Sequence, residues 1–181
     1  MGTMASTIEH NATRIRELHE RMRETFRLKP HGAEHHAACE EFHRRYDELA
    51  FPGGLKQGLA LLGKNDSAAV AAAVAFLVAD PRFFRSGYIK ETILRRLKHV
   101  TLSKGHGEKL VRLAIASLDR GGRREYHGYA RLAGALQCPA LAQAAQARRE
   151  SPDGEVRRRA LEMLHVMQSH RTRQGGGQTS G

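Results

Sequence analysis

The chain has 181 residues, of which 40% are hydrophobic and 6% aromatic, with no Trp. This length suits one domain of ordinary size or a short array of repeats, and either can bury a core. The 30 Lys and Arg residues against 19 Asp and Glu residues give a formal net charge of +11, which favours acidic partners. The longest apolar run, Ala68 to Ala79, is too short to span a bilayer, and no signal peptide is evident. We therefore expect a soluble protein.

The two cysteines, Cys39 and Cys138, lie far apart in the sequence. They match neither a disulfide framework nor a CxxC metal site, and this pattern is typical of a reducing compartment. We expect a cytoplasmic location and no cofactor.

The first 50 residues predict two amphipathic helices. Residues 1–5 are expected to be disordered or a cloning remnant, and the first helix is expected after Ser6 or Thr7. The second helix is predicted from about Ala33 to Ala50, because a Pro-Gly-Gly run follows it. Residues 6–50 are thus predicted to form an N-terminal helical hairpin.

Turn glycines then recur at a nearly constant spacing. Gly54, Gly87 and Gly122 are separated by 33 and 35 residues, and each is expected to open a helix. Apolar triplets at helical spacing follow each glycine, and β-branched residues are sparse. We predict an all-α chain of about nine helices, with a helical-repeat array over residues 51–170 and a flexible tail over residues 171–181.

Helix pairs of this length resemble the HEAT and armadillo-like class of helical repeats over about residues 51–150. The resemblance is architectural and includes no family motif. It implies antiparallel hairpins stacked into a short α-solenoid, with a non-catalytic scaffold or binding role. The alternative fold is an irregular helical bundle.

Two short motifs that can carry chemistry have structural explanations. Residues Gly58 to Lys64 fit the G-x-x-x-x-G-K phosphate loop, but that loop must follow a strand, and here the segment itself is predicted to be a helix. Residues His31 to His35 fit the H-x-x-E-H zinc motif, and His35, Cys39 and His43 recur every four residues. In a chain with 11 His such pairs arise by chance, so we predict no metal, although the sequence does not decide whether this cluster binds one.

The carboxylates also have structural explanations. Asp66, Asp80 and Asp153 stand at predicted helix starts, where N-capping accounts for them. Asp119 and Glu125 flank arginine-rich turns and are expected to pair with neighbouring arginines. Helical-repeat DNA glycosylases are similar in architecture and charge, but they use an Asp set among aromatic groups that include Trp. We therefore expect no catalysis.

The positive charge is concentrated between Arg82 and Arg131. This stretch of 50 residues holds 13 Lys and Arg against 4 Asp and Glu, so it carries +9 of the total +11. Stacked helices would bring such groups onto one face, where several could pair with phosphates or carboxylates. The predicted anion-binding residues are Arg82, Arg85, Lys90, Arg95, Arg96, Lys98, Lys109, Arg112, Arg120, Arg123, Arg124 and Arg131.

Three functions follow from these features. The first is a non-catalytic protein that presents a basic helical face to a polyanion, namely RNA or DNA backbone with little sequence discrimination. The second is an adaptor that holds an acidic or amphipathic protein segment. The third is an enzyme of the glycosylase kind. The expected partner is nucleic acid or an acidic protein segment, with no membrane.

Overall fold

The computed structural model describes residues 3–120 and 123–175, except the side chains of residues 123, 124, 174 and 175. Within these ranges the chain forms nine α-helices and no strand, so the predicted all-α class is confirmed. The helices are α1 (Met4–Leu28), α2 (Ala33–Leu49), α3 (Leu55–Gly63), α4 (Ser67–Ala79), α5 (Ser86–Leu97), α6 (Lys104–Asp119), α7 (Arg123–Leu136), α8 (Pro139–Gln146) and α9 (Gly154–Gly175).

The chain divides into two compact units, a first unit of Met1–Ile89 and a second unit of Lys90–Gly181. The predicted boundary after residue 50 lies inside the first unit. The reason is that α3 and α4 pack against α2 and α1, so they belong to the first unit and not to the helices that follow.

The first unit is built on the long hairpin of α1 and α2. The apolar residues Ile8, Ile15 and Leu18 are buried on α1, and Phe42 is buried on α2, as amphipathic helices require. Helix α4 is almost entirely apolar and most of it is buried, which explains why it fills the space beside α1. The side chain of Asp66 caps α4 by accepting a hydrogen bond of 2.9 Å from the backbone N–H of Ala69.

An aromatic cluster joins the segment after α4 to this hairpin. The Tyr46 hydroxyl on α2 donates a hydrogen bond of 2.8 Å to the carbonyl of Phe84. The Phe83 ring makes edge contacts with the rings of Tyr46 and Phe76, and the Phe84 ring stacks on His19 at 4.6 Å. These long-range contacts hold the chain around residue 84 in the first unit.

The second unit has a core drawn from all its helices. The largest fully buried side chains include Leu94 and Leu97 on α5, Leu110 and Leu118 on α6, and Tyr126 on α7. Helix α7 packs against both α6 and α9, so it occupies the centre of this unit. Ile93, Leu110 and Leu132 are also fully buried, as the inward faces of amphipathic helices require.

Contacts in the second unit join residues about one predicted repeat apart. Lys90 on α5 contacts Glu125 on α7, and His127 on α7 contacts Glu162 on α9, each over 35 residues. A Cβ placed on Gly128 would lie 2.7 Å from Cδ1 of Leu94, which shows how closely α5 and α7 approach. Lys90 and Leu94 on α5 meet Glu125 and Gly128 on α7 in the same order, so the two helices run in the same direction. Helix α9 runs in this direction too. This arrangement is compatible with a helical repeat.

Several helix ends differ from the predictions. Helix α1 begins at Met4 and is capped by Thr3, whose hydroxyl accepts from the N–H of Ser6 at 3.3 Å, so residues 4 and 5 are helical. Helix α9 extends to Gly175, so at least residues 171–175 of the predicted tail are helical. Gly54 adopts φ +84° as the N-cap of α3, as a turn glycine should, whereas Gly122 lies outside the described residues.

Candidate polyanion-binding surface

Lys90 was predicted to bind an anion at the surface, but the structure buries its side chain. It follows Ile89 on α5 and lies on the same helical face as Leu94 and Leu97, so its side chain is carried into the interior and is 5% exposed. Its ammonium group donates a hydrogen bond of 3.3 Å to Glu125 on α7. A buried, paired ammonium group contributes to packing and is not available to an external anion.

Three other predicted cations lie at the end of α5. Arg95 is exposed, whereas Arg96 and Lys98 are half-buried. Cations in the last turn of a helix interact favourably with the partial negative charge of its terminal carbonyls. That interaction accounts for their position in the sequence but leaves the exposed guanidinium of Arg95 accessible.

Arg131 is exposed on α7, one turn after His127. These two residues are the exposed positions on this helix among its described side chains, because α7 is covered by α6 and α9. Sequence reasoning missed His127, although its spacing of four from Arg131 could have placed it on the same stripe. The His127 ring lies 2.5 Å from a carboxylate oxygen of Glu162 on α9.

Lys109 and Arg112 lie on α6 and are both exposed. They occupy the side of the helix opposite to Leu110 and Ala114, which face the core. Arg120 follows as the exposed C-cap residue of α6. These three cations therefore belong to the outer side of α6, which is not the side that contacts α7.

Four of the eight acidic residues of the second unit form ion pairs with described cations, namely Asp119, Glu125, Glu155 and Glu162. Asp119 binds Arg148 through two hydrogen bonds of 2.7 Å each, and not the neighbouring Arg120. This pairing lowers the pKa of Asp119 and raises the pKa of Arg148. Glu125 pairs with Lys90. The expected pairing of these carboxylates with Arg123 or Arg124 concerns side chains outside the described residues and stays a prediction.

The last helix carries its own ion pairs. Arg158 lies 3.0 Å from Glu155 and 3.2 Å from Glu162, and these carboxylates raise its pKa. Arg159 is buried, and its guanidinium lies 5.8 Å from the centroid of the Tyr126 ring. The Tyr126 hydroxyl donates a hydrogen bond to the carbonyl of Arg159, and burial raises the pKa of this tyrosine.

These pairings leave six predicted cations of the second unit outside any ion pair among the described residues. They share exposed or half-buried side chains in the second unit, and they are Arg95, Lys98, Lys109, Arg112, Arg120 and Arg131. Arg123 and Arg124 begin α7, but their side chains lie outside the described residues.

The two remaining predicted residues, Arg82 and Arg85, belong to the first unit. The side chain of Arg82 is 87% exposed and lies 3.8 Å from Asp80, which forms the left-handed C-cap of α4 and not an N-cap. The guanidinium of Arg85 lies over the Phe84 ring at 5.4 Å. The structure thus gives no basis for grouping them with the cations of the second unit.

The two sequence motifs lack the geometry that their chemistry needs. Residues 58–63 of the phosphate-loop pattern lie within α3, and Lys64 is the C-cap of that helix. His31 lies in the turn before α2 with φ 63°, so it is not on one helical face with His35. Among the described residues, no group of three or more His, Cys, Asp or Glu side chains is arranged to hold a metal ion.

Each aspartate of the chain has a structural partner. Asp66 caps α4, and Asp153 accepts hydrogen bonds from the N–H groups of two residues at the start of α9. Asp47 accepts from the N–H of Lys56, while Asp80 and Asp119 lie beside arginines. Local structure therefore accounts for all five carboxylates.

Among the described residues, no single helix is long and apolar enough to cross a membrane; α3 and α4 meet that criterion only jointly, with a bend of 115° between them. Comparisons with protein-family models, curated proteins and solved structures find no match for this chain.

Proposed function

We propose that the second unit binds the phosphate backbone of a nucleic acid without catalysis, in the cytoplasm. The observation that carries the proposal is the distribution of charge. The second unit contains 18 Lys and Arg against 8 Asp and Glu, a net charge of +10, whereas the first unit contains 12 against 11. A net positive charge concentrated in one compact unit produces a positive electrostatic potential around that unit, and this potential attracts polyanions.

Ion pairing supports the same proposal. The carboxylates of Asp119, Glu125 and Glu155 lie beside Arg148, Lys90 and Arg158, which are not among the exposed predicted cations. These three carboxylates therefore do not neutralise the exposed cations on α5, α6 and α7, although Glu91 and Glu108 lie four residues before Arg95 and Arg112 on the same helices. Exposed Arg and Lys that neutralise phosphates and release counterions supply most of the affinity in non-specific nucleic-acid binding.

We infer that α5 to α9 form a short stacked repeat of the HEAT-like kind. The inference is supported by the parallel α5, α7 and α9 and by the 35-residue separation of two contacting pairs.

The binding test uses fluorescent single-stranded and double-stranded oligonucleotides of random sequence at low salt. We expect both to bind, and we expect Arg95→Glu combined with Arg131→Glu to weaken binding at least about tenfold, since each reversal replaces an attraction by a repulsion. Arg44→Glu, which reverses an exposed cation on α2 of the first unit, is the matched control and should leave affinity unchanged within about twofold.

Equal loss in the control and the double variant would contradict the proposed location. No binding of either oligonucleotide by the wild-type protein would contradict the proposed function.

A groove in the second unit favours an adaptor as a second candidate. It lies between α8 and α9, has a volume of about 570 Å³, and is lined by Ala142, Ala147 and Leu164 with two glutamines. Leu161 on α9 is 47% exposed. An apolar groove in a basic unit suits an acidic amphipathic helix, whose apolar side would enter the groove.

This second candidate is tested with a labelled acidic amphipathic peptide. Ala142→Arg fills the groove and should abolish peptide binding while leaving oligonucleotide binding intact. Peptide binding that persists in Ala142→Arg would exclude the groove as the peptide site.

A further inference from the structure

Aromatic and basic side chains alternate at the surface of the first unit over residues 82–88, which join α4 to the first turn of α5. Phe84 and Tyr88 are 42% and 56% exposed, although both are large aromatic residues. Arg82 and Arg85 are exposed beside them. Exposed rings interleaved with guanidinium groups are typical of proteins that bind single-stranded nucleic acid, where bases stack and phosphates pair.

The backbone that carries these side chains is fixed to the long hairpin of the first unit. The Arg16 guanidinium on α1 donates a hydrogen bond of 2.9 Å to the carbonyl of Arg82. The Tyr46 hydroxyl on α2 donates another, of 2.8 Å, to the carbonyl of Phe84. Because this backbone is already ordered, a ligand that stacks on Phe84 does not lose affinity to the ordering of a loop.

The Phe84 ring already contacts two flat polar groups. The His19 ring on α1 stacks against it with the centroids 4.6 Å apart and the planes inclined by 21°. The guanidinium carbon of Arg85 lies 5.4 Å from the centroid of the same ring. Arg85 has φ 64°, a left-handed backbone that is strained for a residue with a side chain, and such strain is concentrated at binding sites.

A nucleobase can take the place of Arg85 over the Phe84 ring. An exposed cation–π contact is weak, whereas the stacking of a base on an aromatic ring contributes substantially to affinity. Among the described residues no carboxylate forms an ion pair with Arg85, so its guanidinium is able to move from the ring to the phosphate next to the base. Paired bases are stacked inside a duplex and do not reach a protein ring in this way.

We propose that residues 82–88 are a stacking site for the unpaired bases of single-stranded nucleic acid. Phe84 and Tyr88 hold bases, and Arg82 and Arg85 contact the adjoining phosphates. Every base has a π face, so the site has little sequence preference. It lies in the first unit and does not depend on the phosphate binding proposed for the second unit.

The test compares two labelled single strands by fluorescence anisotropy with the full-length chain at low salt. One strand consists of about 12 thymidines, and the other is an abasic strand of the same length. The abasic strand keeps the phosphates but has no base to stack. We expect the wild-type protein to bind the thymidine strand at least about tenfold more tightly than the abasic strand.

Phe84→Leu removes the ring and keeps an apolar side chain. It should weaken binding of the thymidine strand at least about fivefold and leave the affinities for the abasic strand and for a duplex unchanged within about twofold. Phe26→Leu is the matched control, because Phe26 is also an exposed phenylalanine of the first unit and its ring also contacts a histidine, His35, at 5.2 Å. This control should leave all three affinities unchanged.

Two further variants decide the question if Phe84→Leu does not fold. Tyr88→Leu changes a side chain at the surface and should weaken binding of the thymidine strand about fivefold. Arg85→Gly suits the left-handed backbone, so it should not lower the denaturant midpoint, but it removes a phosphate contact and should weaken binding of both single strands about threefold. Circular dichroism confirms that each variant keeps its helical content.

Equal affinities of the wild-type protein for the thymidine and abasic strands would overturn the stacking site. An equal loss of affinity for both strands in Phe84→Leu would also overturn it. Failure of the proposed function has a different result. If neither the duplex nor the abasic strand binds, but the thymidine strand binds and Phe84→Leu weakens this binding, the stacking site stands and the phosphate binding of the second unit is wrong.

Discussion

Lys90 belongs to the basic stretch that was predicted to bind anions, but its side chain is not exposed. Its side chain is buried against Glu125, whose carboxylate is 36% exposed. Since a buried ammonium group needs a charged partner, we expect Glu125→Gln to lower the free energy of unfolding by about 1–3 kcal/mol. Urea unfolding followed by circular dichroism measures this.

The control for this pair is the double variant Lys90→Met with Glu125→Gln. It removes both charges and should recover most of the stability that Glu125→Gln loses, because an apolar pair needs no compensation. A double variant less stable than Glu125→Gln alone would show that Lys90 has a role other than the partner of Glu125.

Asp119 gives the second prediction at this scale. The bidentate hydrogen bond to Arg148 holds the pKa of Asp119 below its ordinary value of 3.8. A group whose pKa is depressed by folding contributes stability above its unfolded pKa and loses that contribution as the pH falls through its folded pKa. The wild-type protein should therefore lose stability more steeply than Asp119→Asn below about pH 4.

The effect is modest because the Asp119 side chain is 49% exposed, so we expect a difference of about 1 kcal/mol or less at neutral pH. Thermal unfolding at pH 7 and at pH 3 compares the two proteins. If the wild-type protein and Asp119→Asn lost the same stability between pH 7 and pH 3, the ion pair of Asp119 would not contribute to stability as predicted.

At the scale of elements, α5 and α7 approach each other closely at Gly128. A Cβ on Gly128 would lie 2.7 Å from Cδ1 and 3.2 Å from Cβ of Leu94, which is fully buried. Gly107 on α6 is the matched control, because a Cβ there meets no atom within 4 Å.

Alanine has the higher helix propensity, so Gly107→Ala should raise the free energy of unfolding by about 0.5–1 kcal/mol. Gly128→Ala should be less stable than Gly107→Ala by about 1–3 kcal/mol, because the added methyl group overpacks the contact with Leu94. Denaturant midpoints of the two variants compare them directly. Equal gains in both would contradict the close packing of these helices.

Helix boundaries and inward faces were largely predictable from the sequence, because apolar residues at helical spacing and turn residues act locally. Asp66 and Asp153 were expected to cap helices, and both side chains accept hydrogen bonds from the first turn of the next helix. The burial of Lys90 could also have been read from its spacing of four and seven from Leu94 and Leu97.

What the sequence did not predict depends on contacts between distant residues. The bond from Tyr46 to the Phe84 carbonyl spans 38 positions and helps to place residue 84 in the first unit. The pairing of Asp119 with Arg148 spans 29 positions and passes over nearer arginines. Neither contact leaves a periodic signal in a single sequence. The division after Ile89 and the set of unpaired cations could therefore be identified only from the structure.

At the scale of the whole molecule, the proposed binding of a polyanion depends on the separation of charge between the units. The second unit holds a net charge of +10 and the first a net charge of +1. If the second unit binds phosphates, several cations act together, and each phosphate contact releases a counterion. The slope of log affinity against log salt concentration is therefore proportional to the number of phosphate contacts.

The most direct test is the slope of log affinity against log salt concentration for a double-stranded oligonucleotide. We predict a slope of about −3 or steeper for the wild-type protein, and a slope shallower by about 2 for Arg95→Gln combined with Arg131→Gln. Arg44→Gln should retain the wild-type slope. An affinity independent of salt, or a slope that the double variant leaves unchanged, would contradict the proposed polyanion-binding surface.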